Sequence, residues 1–260
     1  MDLGLRDKVA VITGGSVGIG LAIGKGLAAE GAQVVIGARN ADRLEAARAE
    51  IAEAGTRVLA VTCDVATAAG CDALVAATTE AFGGADILIN NAGTGSNETI
   101  MEAPDDKWQF YWDLHVMAAV RLARGFVPSM RTRGGGVILN NASICATQPL
   151  WYEPIYNVTK AALVMLSKNM ANEFIPLGIR VNAISPGLIR TPDWVKTATQ
   201  LAGADKAEEY LQSVADEHAP IKRFGSVEEL ADFFVFLCSD RASYSVGATY
   251  FVDGGMLRTI

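Results

Sequence analysis

The chain alternates short apolar runs with longer segments in which apolar residues recur at helical spacing. The apolar runs predict seven strands, at residues 9–12, 34–36, 58–61, 87–89, 137–139, 180–184 and 249–252. Helices are predicted between them, among others at residues 21–30, 41–54, 71–82 and 156–174. Continuously apolar strands that alternate with helices are typical of a parallel sheet covered on both faces. The pattern predicts an α/β fold, one doubly wound domain over residues 1–260 with about seven strands.

One stretch, residues 188–220, does not follow this alternation. It comes after the sixth predicted strand and holds Trp194 and a predicted amphipathic helix at residues 206–217. Ligands of doubly wound sheets bind beyond the carboxyl ends of the strands, so a long insertion at that end can cover the site. We expect a substrate lid at residues 188–220, and a surface excursion without a role is the alternative.

Composition narrows the class of protein. Half of the 260 residues are apolar, with 26 glycines and 8 prolines, which suits a compact α/β protein. The net charge is −7 and Lys and Arg form no run, so no nucleic-acid or membrane partner is predicted. The four cysteines are scattered, which predicts neither a metal site nor a disulfide framework. The sequence shows no signal-peptide pattern and no membrane span, so we expect a cytoplasmic protein.

The segment after the first predicted strand, TGGSVGIG at residues 13–20, is a glycine-rich turn that leads into a predicted helix. Glycines allow a tight turn and close backbone approach, while the helix N-terminus offers N–H groups and a positive dipole to a pyrophosphate. Strand, turn and helix together predict a dinucleotide-binding (Rossmann) site. Without that setting, the glycines would only mark a turn.

The second predicted strand ends Gly37-Ala38-Arg39-Asn40, where dinucleotide folds contact the adenosine ribose. An acidic residue at this point accepts the 2′-hydroxyl of NAD, whereas an arginine accommodates the 2′-phosphate of NADP. No carboxylate stands here, and the guanidinium of Arg39 can bind a phosphate with a planar fork of donors. We expect NADP(H) as the cofactor, with NAD(H) as the alternative if Arg39 only faces solvent.

Tyr156 and Lys160 are four residues apart at the start of a predicted helix, so their side chains share one face. A free tyrosine has a pKa near ~10, and a neighbouring ammonium stabilises its phenolate and lowers that pKa. The pair predicts a tyrosine that donates or accepts a proton. A match to YxxxK alone is frequent by chance, so this interpretation depends on the surrounding motifs.

Further motifs occur in a fixed order around these two sites. They are TGGSVGIG, Asp64-Val65 after the third strand, Asn90-Asn91-Ala92-Gly93 after the fourth, Ser143 thirteen residues before Tyr156, YNVTK at 156–160, Ser185-Pro186-Gly187 with Ile189 and Thr191, and Val252-Asp253-Gly254-Gly255. In this order and spacing, the chain resembles the classical short-chain dehydrogenases/reductases (SDR) over nearly its whole length. The resemblance implies a nicotinamide-dependent oxidoreductase that interconverts a ketone or aldehyde and a secondary alcohol by hydride transfer.

The resemblance also implies roles for single residues. Tyr156 would transfer the proton, Ser143 would hydrogen-bond the substrate oxygen, and Lys160 would bind the nicotinamide ribose and tune Tyr156. Two hydroxyl donors suit hydride transfer, because charge develops on the substrate oxygen. No metal is implied. The residues expected to hold the cofactor, together with Arg39, are Gly14, Ser16, Val17, Ile19, Asp64, Val65, Asn91, Ala92, Gly93, Tyr156, Lys160, Pro186, Gly187, Ile189 and Thr191.

His115 departs from the family pattern. In Asp113-Leu114-His115-Val116 it occupies the helical position where the family usually carries an asparagine that positions a water for proton transfer. Imidazole donates and accepts hydrogen bonds and has an unperturbed pKa near ~6.5, so it can relay a proton at physiological pH. We predict a catalytic role for His115 in this relay. The alternative is a structural histidine bonded to a backbone carbonyl.

Four residues near the predicted site, Trp151, Tyr152, Glu153 and Trp194, point either to a pocket with aromatic walls and one polar anchor or to packing. The expected substrate is a small carbonyl compound or alcohol, and these four residues do not identify it further.

The resemblance implies a homotetramer or homodimer, with the helix at 156–174 in one interface. A catalytically silent dinucleotide-sensing regulatory protein of the same fold is the alternative function. Extended-family epimerases and dehydratases resemble longer chains with a different glycine spacing. Enoyl reductases would place the lysine further from the tyrosine, so neither class is favoured.

Overall fold

The computed structural model describes residues 2–258. Its strands are β1 Val9–Thr13, β2 Gln33–Ala38, β3 Val58–Thr62, β4 Ile87–Asn90, β5 Gly136–Asn141, β6 Ile179–Pro186 and β7 Thr249–Val252. They form one parallel sheet in the order β3-β2-β1-β4-β5-β6-β7. Every predicted strand lies within one of them. The predicted fold class, a doubly wound parallel α/β sheet of the Rossmann type, is confirmed.

The helices of the described residues are α1 Gly18–Ala29, α2 Ala41–Ala52, α3 Ala68–Phe82, α4 Asp105–Trp112, α5 Ala118–Thr132, α6 Pro154–Phe174, α7 Pro192–Ala202, α8 Ala207–His218 and α9 Val227–Cys238. A π-helical segment, Asp113–Met117, joins α4 to α5. The helices predicted at 21–30, 41–54, 71–82 and 156–174 are confirmed as α1, α2, α3 and α6.

Helices cover both faces of the sheet. On one face α1, α2 and α9 bury side chains such as Ile23, Leu44 and Phe234 against the strands. On the other face α3, α5 and α6 bury side chains such as Leu74 and Phe126. The central strands β1, β2, β4 and β5 are buried from both sides, which explains why their sequences are mostly apolar, whereas the edge strands β3 and β7 are partly exposed. Within residues 2–258, none of the helices combines the length and apolar character needed to cross a membrane.

Residues 188–220, the stretch that does not follow the alternation of strands and helices, are mostly helical and not irregular. Thr191 accepts a hydrogen bond from the N–H of Trp194 at 3.4 Å, and Pro192 stands in the first turn, so α7 carries both signals of a helix start. The helix predicted at 206–217 is confirmed as α8. The two helices share a small apolar cluster, in which the ring of Trp194 packs edge-on against Phe224 at 5.3 Å.

The sheet order reverses between β1 and β4, which are hydrogen-bonded neighbours. The chain leaves β1 towards β2 and β3 on one side, and leaves β4 towards β5, β6 and β7 on the other. Connections diverge at such a point, so a crevice opens beyond the carboxyl ends of β1 and β4. The predicted cofactor and catalytic residues follow these strand ends.

At the amino-terminal ends of the strands, Asp86 connects the start of β1 to the end of α5. Its carboxylate accepts hydrogen bonds from the backbone N–H of Val9 at 2.8 Å and from Nε and Nη2 of Arg133 at 2.9 and 2.7 Å. Burial by itself raises the pKa of Asp86, but the bonds from Arg133 and Val9 outweigh it and the net pKa is lowered.

We expect Asp86→Asn to lower the free energy of unfolding by about 1.5–3 kcal/mol at pH 7, because a charge-assisted hydrogen bond to Arg133 is lost. The pKa of Asp86 is lowered in the folded state, so its contribution is present above the unfolded pKa and disappears as pH falls through the folded one. Denaturant unfolding measures both effects. The exposed Asp72→Asn on α3 is the control, and equal losses in the two variants would contradict the role of the pair.

Candidate active site

The glycine turn lies at the carboxyl end of β1. Gly14 has a φ of +67°, and a Cβ there would lie 3.0 Å from the Cα of Ala92. A Cβ at Gly20 would lie 2.3 Å from the carbonyl oxygen of Gly14. Only glycine fits at both positions. Helix α1 begins at Gly18 without a side-chain cap, so its first N–H groups are available to a pyrophosphate. The turn fits a dinucleotide.

Two asparagines connect this turn to the middle of the sheet. Asn91 donates from Nδ2 to the carbonyl oxygens of Thr13 at 3.0 Å and Gly14 at 3.3 Å. Asn141, the last residue of β5, donates from Nδ2 to Oδ1 of Asn91 at 2.9 Å. The hydroxyl of Thr13 accepts from the N–H groups of Asn91 and Ala92, both at 3.0 Å. These bonds hold the carboxyl ends of β1, β4 and β5 together beneath the crevice.

Lys160, on α6, is a buried cation with 4% of its surface exposed. Its Nζ donates to the backbone carbonyl of Asn141 at 2.7 Å. Burial lowers the pKa of Lys160 to about 8. Nζ lies 5.4 Å from the centroid of the Tyr156 ring. An ammonium has three N–H donors, so two remain for a bound ribose, water or substrate.

Ser143 and Tyr156 face each other beside Lys160. Ser143 follows β5, and its Oγ accepts from the N–H of Cys145 at 3.1 Å, which leaves its proton for another acceptor. Burial raises the pKa of the Tyr156 hydroxyl, although hydrogen bonding with Ser143 acts in the opposite direction. The lowered pKa expected from the sequence is therefore not found. Burial dominates, and the ammonium of Lys160 is bonded to Asn141.

His115 lies in the π-helical segment between α4 and α5 and is 3% exposed. Its Nδ1 is 2.8 Å from Oγ1 of Thr159, and its ring packs edge-on against Tyr111 at 5.4 Å and Tyr156 at 5.6 Å. Burial, and then the charge of Lys160, lower the pKa of His115 well below its usual value. The imidazole is neutral at physiological pH. Its partner is a hydroxyl, not the backbone carbonyl of the structural alternative.

An acidic side chain, that of Glu153, lies close enough to Tyr156 for its charge to act on the phenol. Glu153 directly precedes α6, one helical turn before Tyr156, and a Cβ at Gly95 would lie 3.1 Å from its Oε1. Burial, and then the charge of Glu98, raise the pKa of Glu153 to about 7. Glu98 forms an ion pair with Lys107. The carboxyl of Glu153 therefore gains and loses its proton near neutral pH.

The predicted adenosine residues follow β2 and β3. Arg39 comes directly after β2 and is exposed, and no carboxylate of the described residues forms an ion pair with it. Asp64 and Val65 come after β3, and Oδ1 of Asp64 accepts from the N–H of Ala66 at 3.0 Å. An unpaired guanidinium at this place fits a 2′-phosphate.

The remaining predicted cofactor residues flank the crevice. Ser16, Val17 and Ile19 belong to the glycine turn and the start of α1. Pro186 ends β6, and a Cβ at Gly187 would lie 2.7 Å from the Cα of Asp253, which requires glycine. Ile189 is buried and bridges to Gly225, and Thr191 caps α7.

No role was predicted for three further residues of the site, although one of them, Thr159, lies within YNVTK. Asn141 contributes through a backbone carbonyl, Thr159 through a hydroxyl that meets His115, and Glu98 through its charge on Glu153. A threonine in a helix commonly bonds back to a carbonyl of the preceding turn, which is the signal that Thr159 carries. In residues 2–258, no three His, Cys, Asp or Glu side chains are grouped so that they could hold a metal ion.

Comparison with known proteins decides the family. The family model described as Enoyl-(Acyl carrier protein) reductase matches residues 14–257. Dehydrogenase/reductase SDR family member 4 of Sus scrofa is 38% identical over 253 residues, which are 96% of this chain and 88% of that relative. The chain belongs to the short-chain dehydrogenase/reductase family. As an SDR, it is an oxidoreductase.

Solved structures share the whole of this SDR fold. The L-sorbose reductase of Gluconobacter frateurii, complexed with NADPH and L-sorbose, is 68% identical with a TM-score of 0.98, and each chain covers 100% of the other. An NADPH-bound short chain oxidoreductase of Pseudomonas aeruginosa PAO1 with an atypical catalytic center is 33% identical with a TM-score of 0.90, over 98% of this chain and 100% of that one. Both relatives bind NADPH.

Proposed function

We propose that this SDR is an NADPH-dependent reductase of polyhydroxylated ketones, which it interconverts with the corresponding alcohols. The observation that carries the proposal is the grouping of Ser143, Tyr156 and Lys160 beside the glycine turn, with Glu153 one helical turn from Tyr156. The likeness to an L-sorbose reductase supports the substrate class.

In the proposed reaction, Ser143 and Tyr156 donate hydrogen bonds to the substrate carbonyl oxygen and neutralise the charge that develops on it. When bound, the nicotinamide supplies the hydride that reaches the carbonyl carbon. Tyr156 gives its phenolic proton to the oxygen, so one hydride and one proton convert the ketone into the alcohol. Lys160 holds the cofactor ribose and passes a proton back to Tyr156, with His115 completing the relay.

The protonation state of the site favours reduction. Burial raises the pKa of Tyr156, so its hydroxyl is protonated at neutral pH, which is the form that can donate a proton. Oxidation of an alcohol needs the phenolate as the proton acceptor. We therefore infer that the enzyme reduces ketones near neutral pH and oxidises alcohols efficiently only at higher pH.

Glu153 is the proposed anchor for the substrate hydroxyls. An ionised carboxylate accepts hydrogen bonds from more than one hydroxyl, which a plain ketone does not provide. Burial, followed by charges that include those of Glu153 and of Tyr210 on α8, raises the pKa of Tyr152, so α8 reaches the residues before α6. We propose that α7 and α8 act as the substrate lid, with Tyr210 as its contact to the pocket. A steroid or other apolar ketone fits this carboxylate poorly, because burying the charge without a partner is costly.

We also propose that copies of this chain associate as a homotetramer or homodimer through α4 and α6. Large apolar side chains on these helices are partly exposed, Phe110 and Trp112 on α4 and Val158 and Met165 on α6. A second copy would cover this apolar surface.

The function is tested by following nicotinamide absorbance with L-sorbose, a plain ketone, a 3-oxoacyl thioester and an enoyl thioester. We expect NADPH-dependent turnover of the ketose, and Tyr156→Phe should bind NADPH normally but lower kcat by ~10² to 10⁴, the usual contribution of a general acid. Preferred turnover of the enoyl thioester would refute the proposal. NADPH binding without turnover of any substrate would favour the silent dinucleotide sensor.

Arg39→Ala should weaken NADPH binding by about 1.5–3 kcal/mol and leave NADH binding almost unchanged, because the charge-assisted bond to the 2′-phosphate is lost. Fluorescence titration with both cofactors measures the difference. Arg48→Ala, on the exposed side of α2 and paired with Glu45, is the matched control. If Arg39→Ala weakens the two cofactors equally, Arg39 does not set the cofactor choice.

Glu153→Gln should lower kcat/KM for the ketose roughly 10- to 100-fold through KM, because the hydroxyls lose a charged acceptor. The pKa of Glu153 is about 7, so in the wild type the KM for the ketose should rise as pH falls below 7, when the carboxyl becomes protonated. This rise should be absent in Glu153→Gln and present in the control Glu173→Gln, at the far end of α6. Unchanged ketose kinetics in Glu153→Gln would exclude the anchoring role.

A further inference from the structure

The two ring nitrogens of His115 have different surroundings. Nδ1 lies 2.8 Å from Oγ1 of Thr159. Nε2 is fully buried and meets no hydrogen-bond partner among residues 2–258. It faces Gly93 and Lys160, because a Cβ at Gly93 would lie 3.1 Å from Nε2 and 3.5 Å from Nζ of Lys160. The protein therefore gives Nδ1 a hydrogen-bond partner, whereas Nε2 has none in the described part of the chain and lies on the side of Gly93 and Lys160.

The hydroxyl of Thr159 has one proton, and two backbone carbonyls compete for it. Oγ1 lies 2.9 Å from the carbonyl oxygen of Ile155 and 3.1 Å from that of Tyr156, and both oxygens can only accept. When Thr159 donates to either carbonyl, its Oγ1 has lone pairs left for His115. Nδ1 then carries the imidazole proton and donates a hydrogen bond to Oγ1 of Thr159.

The opposite tautomer is disfavoured by charge. It would need Thr159 to donate to Nδ1, and it would place an N–H at Nε2 towards the ammonium of Lys160, so that two buried donors faced each other. Protonation of both nitrogens is disfavoured for the same reason, since Lys160 already carries a positive charge beside the ring. The rings of Tyr111 and Tyr156 complete the surroundings of His115, each nearly perpendicular to the imidazole.

We propose that Thr159 is a positioning residue: by accepting a hydrogen bond from Nδ1–H, it fixes His115 in the tautomer whose Nε2 lone pair faces Lys160. Nε2 then accepts a hydrogen bond from the ammonium, directly or through one water. The imidazole keeps its own proton on Nδ1 and holds that donor in place, while the proton that Lys160 gives to Tyr156 is replaced from solvent through the water. The kinetic part of this inference rests on the proposed function. The tautomer itself does not.

The tautomer is tested by the imidazole ¹⁵N shifts of protein labelled at histidine. The chain has only two histidines, and His218→Gln identifies the signals of the other one. We expect a protonated Nδ1 and an unprotonated Nε2 for His115 in the wild type. In Thr159→Val, which keeps the branched shape and loses the hydroxyl, the two shifts should approach each other, and Thr159→Ser should restore the wild-type pattern. A protonated Nε2 in the wild type, or an unchanged spectrum in Thr159→Val, would overturn the proposal.

The role in the relay is tested by kinetics. Thr159→Val should lower kcat about tenfold with little change in the KM for NADPH, and Thr159→Ser should restore it. His115→Leu should lower kcat at least as far, whereas His115→Asn should keep most activity and shift the pH profile. Thr159→Val should add no further loss to His115→Leu, since Thr159 acts through His115. Full additivity, or wild-type kcat in Thr159→Val, would show that the tautomer does not serve turnover.

Failure of the two proposals can be told apart. If the wild type reduces no ketone, the proposed function fails, while the ¹⁵N shifts still decide whether Thr159 sets the tautomer. If ketones are reduced and the shifts do not depend on Thr159, the further inference fails and the proposed function stands.

Discussion

The buried ammonium of Lys160 is the group on which the rest of the site depends. A cation removed from water destabilises the fold unless polar groups surround it, and the carbonyl of Asn141 is placed to accept from it. Asn141 is in turn fixed by Asn91, which bonds the glycine turn at Gly14. The bonds that stabilise this one charge thus connect the end of β5, the glycine turn before α1 and the face of α6. The proposed cofactor position lies between them.

The sheet could be predicted from the sequence because its signals are local. A parallel strand buried on both faces is mostly apolar, and the runs of β1, β2, β4 and β5 satisfy this, whereas the run of β6 carries Arg180 and Asn182. Of the two helices over residues 192–218, α8 was predicted and α7 was not. The apolar residues of these helices pack on each other and on Phe224 in a small separate cluster. Their spacing along the sequence therefore matches neither a helix that packs on the sheet nor a loop.

The site could be predicted only as far as it depends on side-chain spacing. Ser143, Tyr156 and Lys160 lie together because a strand end and one helix face fix their distances. The pKa of Tyr156 was predicted in the wrong direction, because it depends on burial and on where the donors of Lys160 point. The partner of His115 was not predictable, since the π-helical turn changes the direction of its ring and Thr159 lies on another helix.

Burial favours the neutral form of the titratable groups around Tyr156. It raises the pKa of Tyr156, lowers that of His115, and raises that of Glu153 to about 7. Burial also lowers the pKa of Lys160, but only to about 8, so the ammonium keeps its charge at neutral pH. The positive potential of one ammonium therefore acts on a phenol that holds its proton and on an imidazole that presents a lone pair. In the proposed reaction, such a site would release a proton to an oxygen only when that oxygen becomes negative, as hydride reaches the carbonyl carbon.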